Sequence, residues 1–369
     1  MGNSVCILAP LWSKLPRDGY GGIEKTTLQR ANSLNQNGFR IQLIGNVQKI
    51  EYAESILNPQ KIFKYPSNNL ELLKWYSSLG FLKYIREFNQ FSNEVWNCPI
   101  ISDAPTFDLV SSLILKNSFS GRPVVFILHG NIGLTNGHFT KFYKYNRIIN
   151  GVGKKMWLGA LNTNLHNLLQ KRGFQSFYLP NGISIPKTIY QSTNLEEYLI
   201  FVGAINSMKA PHLAIKAARI TNTPLKIIGP ITDLYYFKEH IEPYIGDQIK
   251  YLGVLTREEL DKELRNSKAM LYTSQWNDPQ PAVILEAMSN GVPVISMPAF
   301  DKIYSGAFDM IVDGINGIQC SISEISKRYK DLEKISKREV LEFTRKNWSW
   351  DSVLRKFHIP VLEYLLTHG

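Results

Sequence analysis

The sequence predicts an α/β protein made of two doubly wound, mostly parallel domains. Three observations predict it. Short apolar strands alternate with amphipathic helices in both halves of the chain. The composition turns polar at Pro186-Lys-Thr-Ile-Tyr-Gln-Ser-Thr-Asn194, which places the linker at about 186–197 and divides the chain into 1–185 and 186–351. The 369 residues, 44% of them hydrophobic, suffice for two cores.

Val5–Ala9 reads as a buried first strand. No basic segment precedes it, so it does not read as a signal peptide, and position six holds Cys rather than the Ser or Thr that N-myristoylation needs. A glycine-rich loop, Gly19-Tyr-Gly-Gly22, then an amphipathic helix over Glu24–Asn37 follow. Gly38 closes that helix and Phe39–Ile44 is the next strand, completing a β-loop-α-β unit. Residues 65–95 carry Trp75, Tyr76, Phe81, Tyr84, Phe88 and Phe91 at helical spacing, the pattern of a core-facing helix or of an acceptor-binding stripe. Pro123–Leu128 is a buried strand ending at His129-Gly130. Beyond the linker come a strand Tyr198–Val202, helix Pro211–Arg219, strand Leu225–Ile228, a helix, strand Ile249–Leu252, helix Arg257–Asn266 and strand Ala269–Tyr272. Asp278 then opens a loop into a buried helix that carries Glu286, and Gly291-Val-Pro leads to a last strand at Val294-Ile295.

The net charge of +11 lies wholly in residues 1–186, which carry 20 Lys/Arg against 9 Asp/Glu; the remainder has 22 of each. Between Leu109 and Asn194 there is no acidic residue, while Lys116, Arg122, Lys141, Lys144, Arg147, Lys154, Lys155, Lys171, Arg172 and Lys187 are present. Such a field attracts polyanions or an anionic membrane surface, and also suits a basic face with no specific partner. No nucleic-acid-binding module accompanies it, so nucleic acid is not an expected partner. Cys6, Cys98 and Cys320 form no CxxC and no Cys/His cluster, which supports neither a zinc site nor a disulfide framework and points to a reducing, cytoplasmic compartment. No apolar run reaches the roughly 18–20 residues of a bilayer span.

In doubly wound sheets ligands sit beyond the carboxyl ends of the strands, so the informative residues lie in loops just after strands. Gly21 and Gly22 precede a helix, where backbone can approach a phosphate or simply turn tightly. Gly203-Ala-Ile-Asn-Ser-Met-Lys209 joins a strand to a helix start, where the dipole disfavours a cation unless an anion lies between them. His129 ends a strand and suits either a structural bond or a substrate hydroxyl. Asp278 and Glu286, eight residues apart across a loop and helix, suit hydroxyl binding or an N-cap and a solvated Glu.

Together these segments resemble the retaining glycosyltransferases of family 4, which have the GT-B fold. The resembling pieces are Tyr20-Gly-Gly-Ile-Glu24, Leu179-Pro-Asn-Gly-Ile183, Phe201-Val-Gly-Ala204 with Lys209–Ala218, Leu225–Pro230, Tyr251-Leu-Gly253, and Asp278 with Glu286–Ile295. Asp309-Met-Ile-Val-Asp-Gly-Ile-Asn-Gly317 matches a Glu-x-x-x-Asp-Gly-x-x-Gly pattern with Asp for Glu. The tail from Trp348 to Tyr364 looks like the family's closing helix, about 352–369, which crosses back to the first domain.

The resemblance implies two Rossmann-like domains facing a cleft. It implies a sugar moved from a nucleoside-diphosphate sugar, UDP- or GDP-linked, to an acceptor hydroxyl with retention. Lys209 would bind the diphosphate, Glu286 the ribose, and Asp278 and His129 the donor sugar. Gly21 and Gly22 would approach the phosphates, Gly203 belongs to the same donor-binding set, and Gly229, Gly253 and Val254 would border the base. Ala282 and Val283, opening the Glu286 helix, complete the donor-binding set. The donor is a substrate, so no cofactor is implied, and no Asp-x-Asp demands a metal. The acceptor expected is a glycan or glycolipid, such as a lipid-linked or cell-surface precursor reached at the inner membrane face. The sequence departs from the family where Ala204 stands for the usual Arg, Gln280 for an aromatic, and Pro281 for a residue with a backbone N–H. Those departures keep open a second reading, a weak or inactive GT-B module that binds a glycan, nucleotide or membrane surface.

Overall fold

The computed structural model describes residues 3–9, 15, 22–44, 51, 53–56, 96–103, 122–129, 156–186, 198–297 and 305–368. The Gly19–Gly21 turn, the aromatic stretch 65–95, the linker 187–197, and most of the basic residues between 116 and 155 lie outside them. Backbone contacts divide the chain into two units. One holds Met1–Leu161, Leu165–Asn181 and Val353–Gly369; the other holds Asn162–Asn164 and Gly182–Ser352.

The first unit is built on a seven-stranded sheet ordered β3-β2-β1-β4-β5-β6-β7. Its strands are β1 (Ser4–Leu8), β2 (Arg40–Ile44), β3 (Ala53–Ile56), β4 (Ile100–Ser102), β5 (Val124–Ile127), β6 (Met156–Ala160) and β7 (Ser176–Tyr178). All neighbours pair in parallel. Parallel strands are covered on both faces, which is why β5 reads as an unbroken apolar run, Val-Val-Phe-Ile, with every residue buried. Helix α1 (Gly22–Gln36) begins two residues before the sequence reading placed it. It closes at Gly38, whose φ of +86° suits the left-handed C′ position. Strand order reverses between β1 and β4, the switch point of a doubly wound sheet.

The last helix packs on this sheet. After α2 (Thr163–Lys171) and the helices of the second unit, α11 (Ile359–His368) places Leu365 and Val361 against Val125, Trp157, Leu179 and Phe177. The Tyr364 ring stands edge-on to Trp157 at 6.3 Å. The closing segment therefore returns to the first unit, as the resemblance implied.

The second unit carries a six-stranded parallel sheet, ordered β10-β9-β8-β11-β12-β13. Its strands are β8 (Leu199–Val202), β9 (Leu225–Ile228), β10 (Ile249–Tyr251), β11 (Ala269–Tyr272), β12 (Val294–Ser296) and β13 (Gly317–Gln319). Its helices are α3 (Pro211–Ile220), α4 (Leu234–His240), α5 (Arg257–Asn266), α6 (Ala282–Ser289), α7 (Ala307–Met310), α8 (Ile325–Arg328), α9 (Lys337–Trp348) and α10 (Trp350–Val353). Thr256 with Glu259, and Ser336 with Glu339, form capping boxes that fix the starts of α5 and α9. The switch point lies between β8 and β11, which pair through Ala269↔Leu199 and Met270↔Ile200, so the ladder stops before their carboxyl ends.

Two sequence motifs resolve into local architecture. Gly182 has no room for a side chain, since a Cβ there would lie 2.7 Å from the Trp350 Cα; Ile183 and Trp348–Trp350 exchange backbone bonds beside it. In the Asp309–Gly317 stretch, Asp313 accepts the Gln319 N–H, Gly314 turns at φ +76° and the Asn316 side chain ties Val312 to Met310. That stretch is a hydrogen-bonded turn between α7 and β13. All three cysteines are free and buried, and the Cys6 and Cys98 sulfurs lie 3.4 Å apart. No helix among the described residues is long and apolar enough to cross a membrane.

His358, in a π-helical turn ahead of α11, gives the first unit a built-in acid sensitivity. Its Nε2 donates to the Pro180 carbonyl at 2.8 Å, and complete burial, together with the Arg30 charge, pushes its pKa down to about 3. The folded chain holds it neutral, while the unfolded chain protonates it below about pH 6.5. Its contribution is thus present at neutral pH and falls as pH drops from about 6.5 toward 3. Acidifying from pH 7.5 to 5.0 should remove about 2 kcal/mol through this residue. His358→Gln, which keeps a donor for Pro180 and does not titrate, should lose less stability over that interval in denaturant titrations.

Candidate functional site

The second unit gathers its chemistry at the carboxyl ends of β8–β11. Gly203, Gly229 and Gly253 follow three adjacent strands, and their backbones interlock. Gly203 N–H donates to Ile228 O at 2.9 Å, and Gly229 N–H to Gly253 O at 2.8 Å. A Cβ on Gly229 would lie 2.0 Å from the Gly203 carbonyl oxygen, and its φ is +142°, so only glycine fits. The Tyr251 hydroxyl donates to Gly229 O at 2.8 Å. Val254, next to Gly253, is an exposed apolar side chain.

The loop after β8 is held in shape by its own bonds. Asn206 accepts the Lys209 N–H at 3.0 Å and donates to Thr232 at 2.9 Å. Ala210, at φ 51° and ψ 51°, makes the left-handed turn into α3. The Thr273 hydroxyl, just past β11, is shared between the carbonyls of Lys209 and Ala210 at 3.0 Å each, and Gln275 N–H binds Met208 O at 2.7 Å. Loops from both sides of the switch point are thereby tied together.

Lys209 and Asp278, far apart in sequence, meet: Nζ lies 2.8 Å from Oδ2, with both side chains partly exposed. Asp278 O accepts the Gly306 N–H at 2.8 Å, and a Cβ on Gly306 would strike Pro279 O at 2.1 Å. Asn162 Nδ2 holds the same Pro279 oxygen at 2.9 Å. Gln280 and Pro281 are buried, and Pro281 is the N-cap of α6 without any side-chain cap. Ala282, Val283 and Glu286 share the less buried face of that helix, so its positive end and Glu286 lie on one surface. Glu286 Oε1 accepts from Arg257 Nη1 at 2.7 Å. Arg257 also pairs with Asp261 at 2.9 Å. Burial disfavours its charge, but Glu286 and Asp261 outweigh that and raise its pKa.

In the first unit, Gly22 is the first residue of α1, and Gly21 lies outside the described residues. His129, two residues past β5, does not stand alone. Its Nε2 lies 2.7 Å from Asp103 Oδ1, just past β4, and Asp103 is bound on both oxygens by Arg30 Nη1 at 2.5 Å. Arg30 Nη2 continues to Asn181 Oδ1 at 2.6 Å.

Sequence reading missed Arg30, Asp103, Arg257 and Thr273. Each left a signal. Arg30 falls on the face of α1 that carries Thr27, Ala31 and Leu34 inward. Asp103 directly follows an apolar strand. Arg257 sits at the first position of a helix, where the dipole disfavours a cation unless acids compensate.

Residues 187–348 match the family described as Glycosyl transferases group 1. A curated relative, spore coat protein SA of Bacillus subtilis (strain 168), is 23% identical over 222 residues, 47% of this chain; the match spans 58% of that protein's length. Among solved structures, a glycosyltransferase of Rickettsia africae has a TM-score of 0.70 at 15% identity, covering 100% of both chains. HepE of Anabaena, in complex with UDP-glucose, has a TM-score of 0.66 at 15% identity, covering 99% of this chain and 100% of its own. Staphylococcus aureus TarM, in complex with Fondaparinux, alpha-GlcNAc-glycerol and UDP, has a TM-score of 0.70 at 13% identity, covering 98% and 100%. The chain has the GT-B fold.

The glycine row sets a clear expectation. Gly229→Ala should destabilise the second unit by at least about 2 kcal/mol, because neither φ nor the Gly203 carbonyl can yield cheaply. Gly246→Ala, with nothing within 4 Å of its added Cβ, should change stability by no more than about 0.5 kcal/mol in the same urea titration.

Proposed function

We propose that this chain is a retaining, metal-independent glycosyltransferase that moves a sugar from a nucleoside-diphosphate sugar to an acceptor hydroxyl. The observation that carries the reading is the meeting of Lys209, Asp278 and the uncapped start of α6 in the loops around one switch point, beside the row Gly203, Gly229 and Gly253.

The barrier to such a transfer is electrostatic, because positive charge grows on the sugar while the diphosphate leaves with negative charge. Lys209 and the first amides of α6, at Ala282 and Val283, stabilise the leaving group from fixed positions. Glu286 takes the ribose hydroxyls with its carboxylate oriented by Arg257. The backbone at Gly229, Gly253 and Val254 borders the base. Asp278 and His129 receive sugar hydroxyls, and Gly21 and Gly22 approach the phosphates. The leaving phosphate serves as the base, so no protein base is required. UDP is the first nucleotide to test, since HepE and TarM were solved with UDP-containing ligands; GDP is the second. The acceptor we propose is a glycan or glycolipid at the cytoplasmic face of a membrane, approached through the basic first half.

The test is thermal stability against UDP, GDP, ADP, TDP and CDP, followed by turnover of the matching sugar donors. A nucleotide at about 100 times its dissociation constant should add roughly 2.7 kcal/mol. Lys209→Ala and Glu286→Ala should each weaken that shift, and Lys209→Ala should cut turnover by on the order of 10²–10³-fold. No shift with any nucleotide and no turnover would sink the reading in favour of a binding module. Activity unchanged by a chelator would support metal independence, and loss restored by added divalent cation would remove it.

Asp278 yields a less obvious expectation. It neutralises Lys209 at 2.8 Å, so a diphosphate must share that cation with it. Asp278→Asn should therefore tighten nucleoside-diphosphate binding severalfold while lowering sugar transfer. Equal weakening of both would show that the carboxylate positions Lys209 rather than competing for it.

A further inference from the structure

Asp103 is completely buried at the carboxyl end of β4. Three donor contacts converge on it: Arg30 Nη1 reaches both oxygens at 2.5 Å, and His129 Nε2 reaches Oδ1 at 2.7 Å. Burial pushes the Asp103 pKa up, but the Arg30 charge and the His129 hydrogen bond outweigh it and hold the carboxyl well below the usual range. An ionised carboxylate only accepts, so the His129 nitrogen facing it must carry a proton. With Nε2 protonated, a neutral imidazole has Nδ1 as its acceptor, and Nδ1 has no hydrogen-bond partner among the described residues. Arg30 matters because it balances the carboxylate. The Arg30–Asp103 pair is neutral in sum, so it orients the ring without requiring an imidazolium. Arg30 is itself anchored by Asn181 Oδ1 at 2.6 Å, which leaves the ion pair little freedom to turn.

We propose that Asp103, locked by Arg30, is a positioning residue that fixes His129 as the Nε2–H tautomer, so that His129 offers Nδ1 as a hydrogen-bond acceptor to a hydroxyl of the bound sugar. The role of the ring toward sugar rests on the transferase reading; the tautomer does not. The chemistry selected is a donor sugar that carries a hydroxyl at the matching carbon. The corresponding deoxy sugar leaves Nδ1 unpaired and should be a poorer substrate.

The primary test is long-range proton–nitrogen correlation spectroscopy on the full chain with ¹⁵N-labelled histidine, His129 being assigned by comparison with His129→Gln. The expected result is protonated Nε2 and unprotonated Nδ1. Asp103→Asn keeps an oxygen for Arg30 but turns an NH₂ toward His129, so it should invert the tautomer and lower kcat by on the order of 10²-fold. Should that variant fail to fold, Arg30→Met with Asp103→Asn removes both buried charges together, the change that buried pairs tolerate best. Positioning also predicts non-additivity: in a His129→Ala background, Asp103→Asn should cost no further activity, whereas a merely structural carboxylate would impose the same loss in both backgrounds. An Nδ1–H tautomer in the unmodified protein overturns the proposal whatever the activity, as does additivity in the cycle. Nε2–H with no turnover of any nucleotide sugar supports the hydrogen-bond assignment and removes the transferase reading.

Discussion

The constraint on which the site depends is the reversal of strand order in a parallel sheet. Right-handed crossovers wind outward in opposite directions from the middle of each sheet, so the loops leaving β8 and β11 part there. With only Ala269 and Met270 of β11 paired to β8, the ladder stops short of the carboxyl ends of both strands. Loop-to-loop bonds take over. Thr273 binds the carbonyls of Lys209 and Ala210, and Gln275 binds Met208, so a lysine from one winding direction is fixed beside an aspartate from the other. The glycines follow from the same constraint, because Gly203 and Gly229 lie too close for any side chain between them.

Two ion pairs in the molecule illustrate opposite uses of charge. Lys209–Asp278 is partly exposed, so solvent screens it and its net contribution to stability is small, on the order of 0–1 kcal/mol. Such a pair can be exchanged for another ligand at little expense. Arg30–Asp103 has no solvent contact on either side chain. Removing one partner there would strand a buried charge at a cost of roughly 3–5 kcal/mol. The first pair suits a group that must change partners, and the second suits a fixed frame against which another group is oriented.

Much of this was legible in the sequence, for identifiable reasons. Strands buried on both faces announce themselves as apolar runs, so β5, β8, β9 and β11 could be placed directly. Short strands such as β4, β7 and β13, of three residues each, carry too little pattern to separate from a turn. Lys209, Asp278 and Glu286 were legible as residues, but their pairing was not: Lys209 meets Asp278 across 69 positions, while Glu286 meets Arg257 across 29. Asp103 and Arg30 were missed because a charge is ordinarily read as surface, and only the fold shows that these two, 73 positions apart, neutralise each other in the interior.

Arg257 bears on the departure at Ala204. Under the proposed transferase reading, Arg257 is a candidate replacement for the arginine that the resemblance leads one to expect at Ala204. Its bonds argue otherwise. Its guanidinium reaches Asp261 through Nε and Nη2 and Glu286 through Nη1. A guanidinium held in this way between two carboxylates has its fork satisfied and its charge balanced. Under the proposed transferase reading it would act on the nucleotide through Glu286, whose carboxylate it holds on the less buried face of α6. The diphosphate of the proposed donor would then fall to Lys209 and to the amides at the start of α6. In such a site the Asp278 carboxylate carries unusual weight, because whatever hold it keeps on Lys209 is subtracted from the charge available to the leaving group.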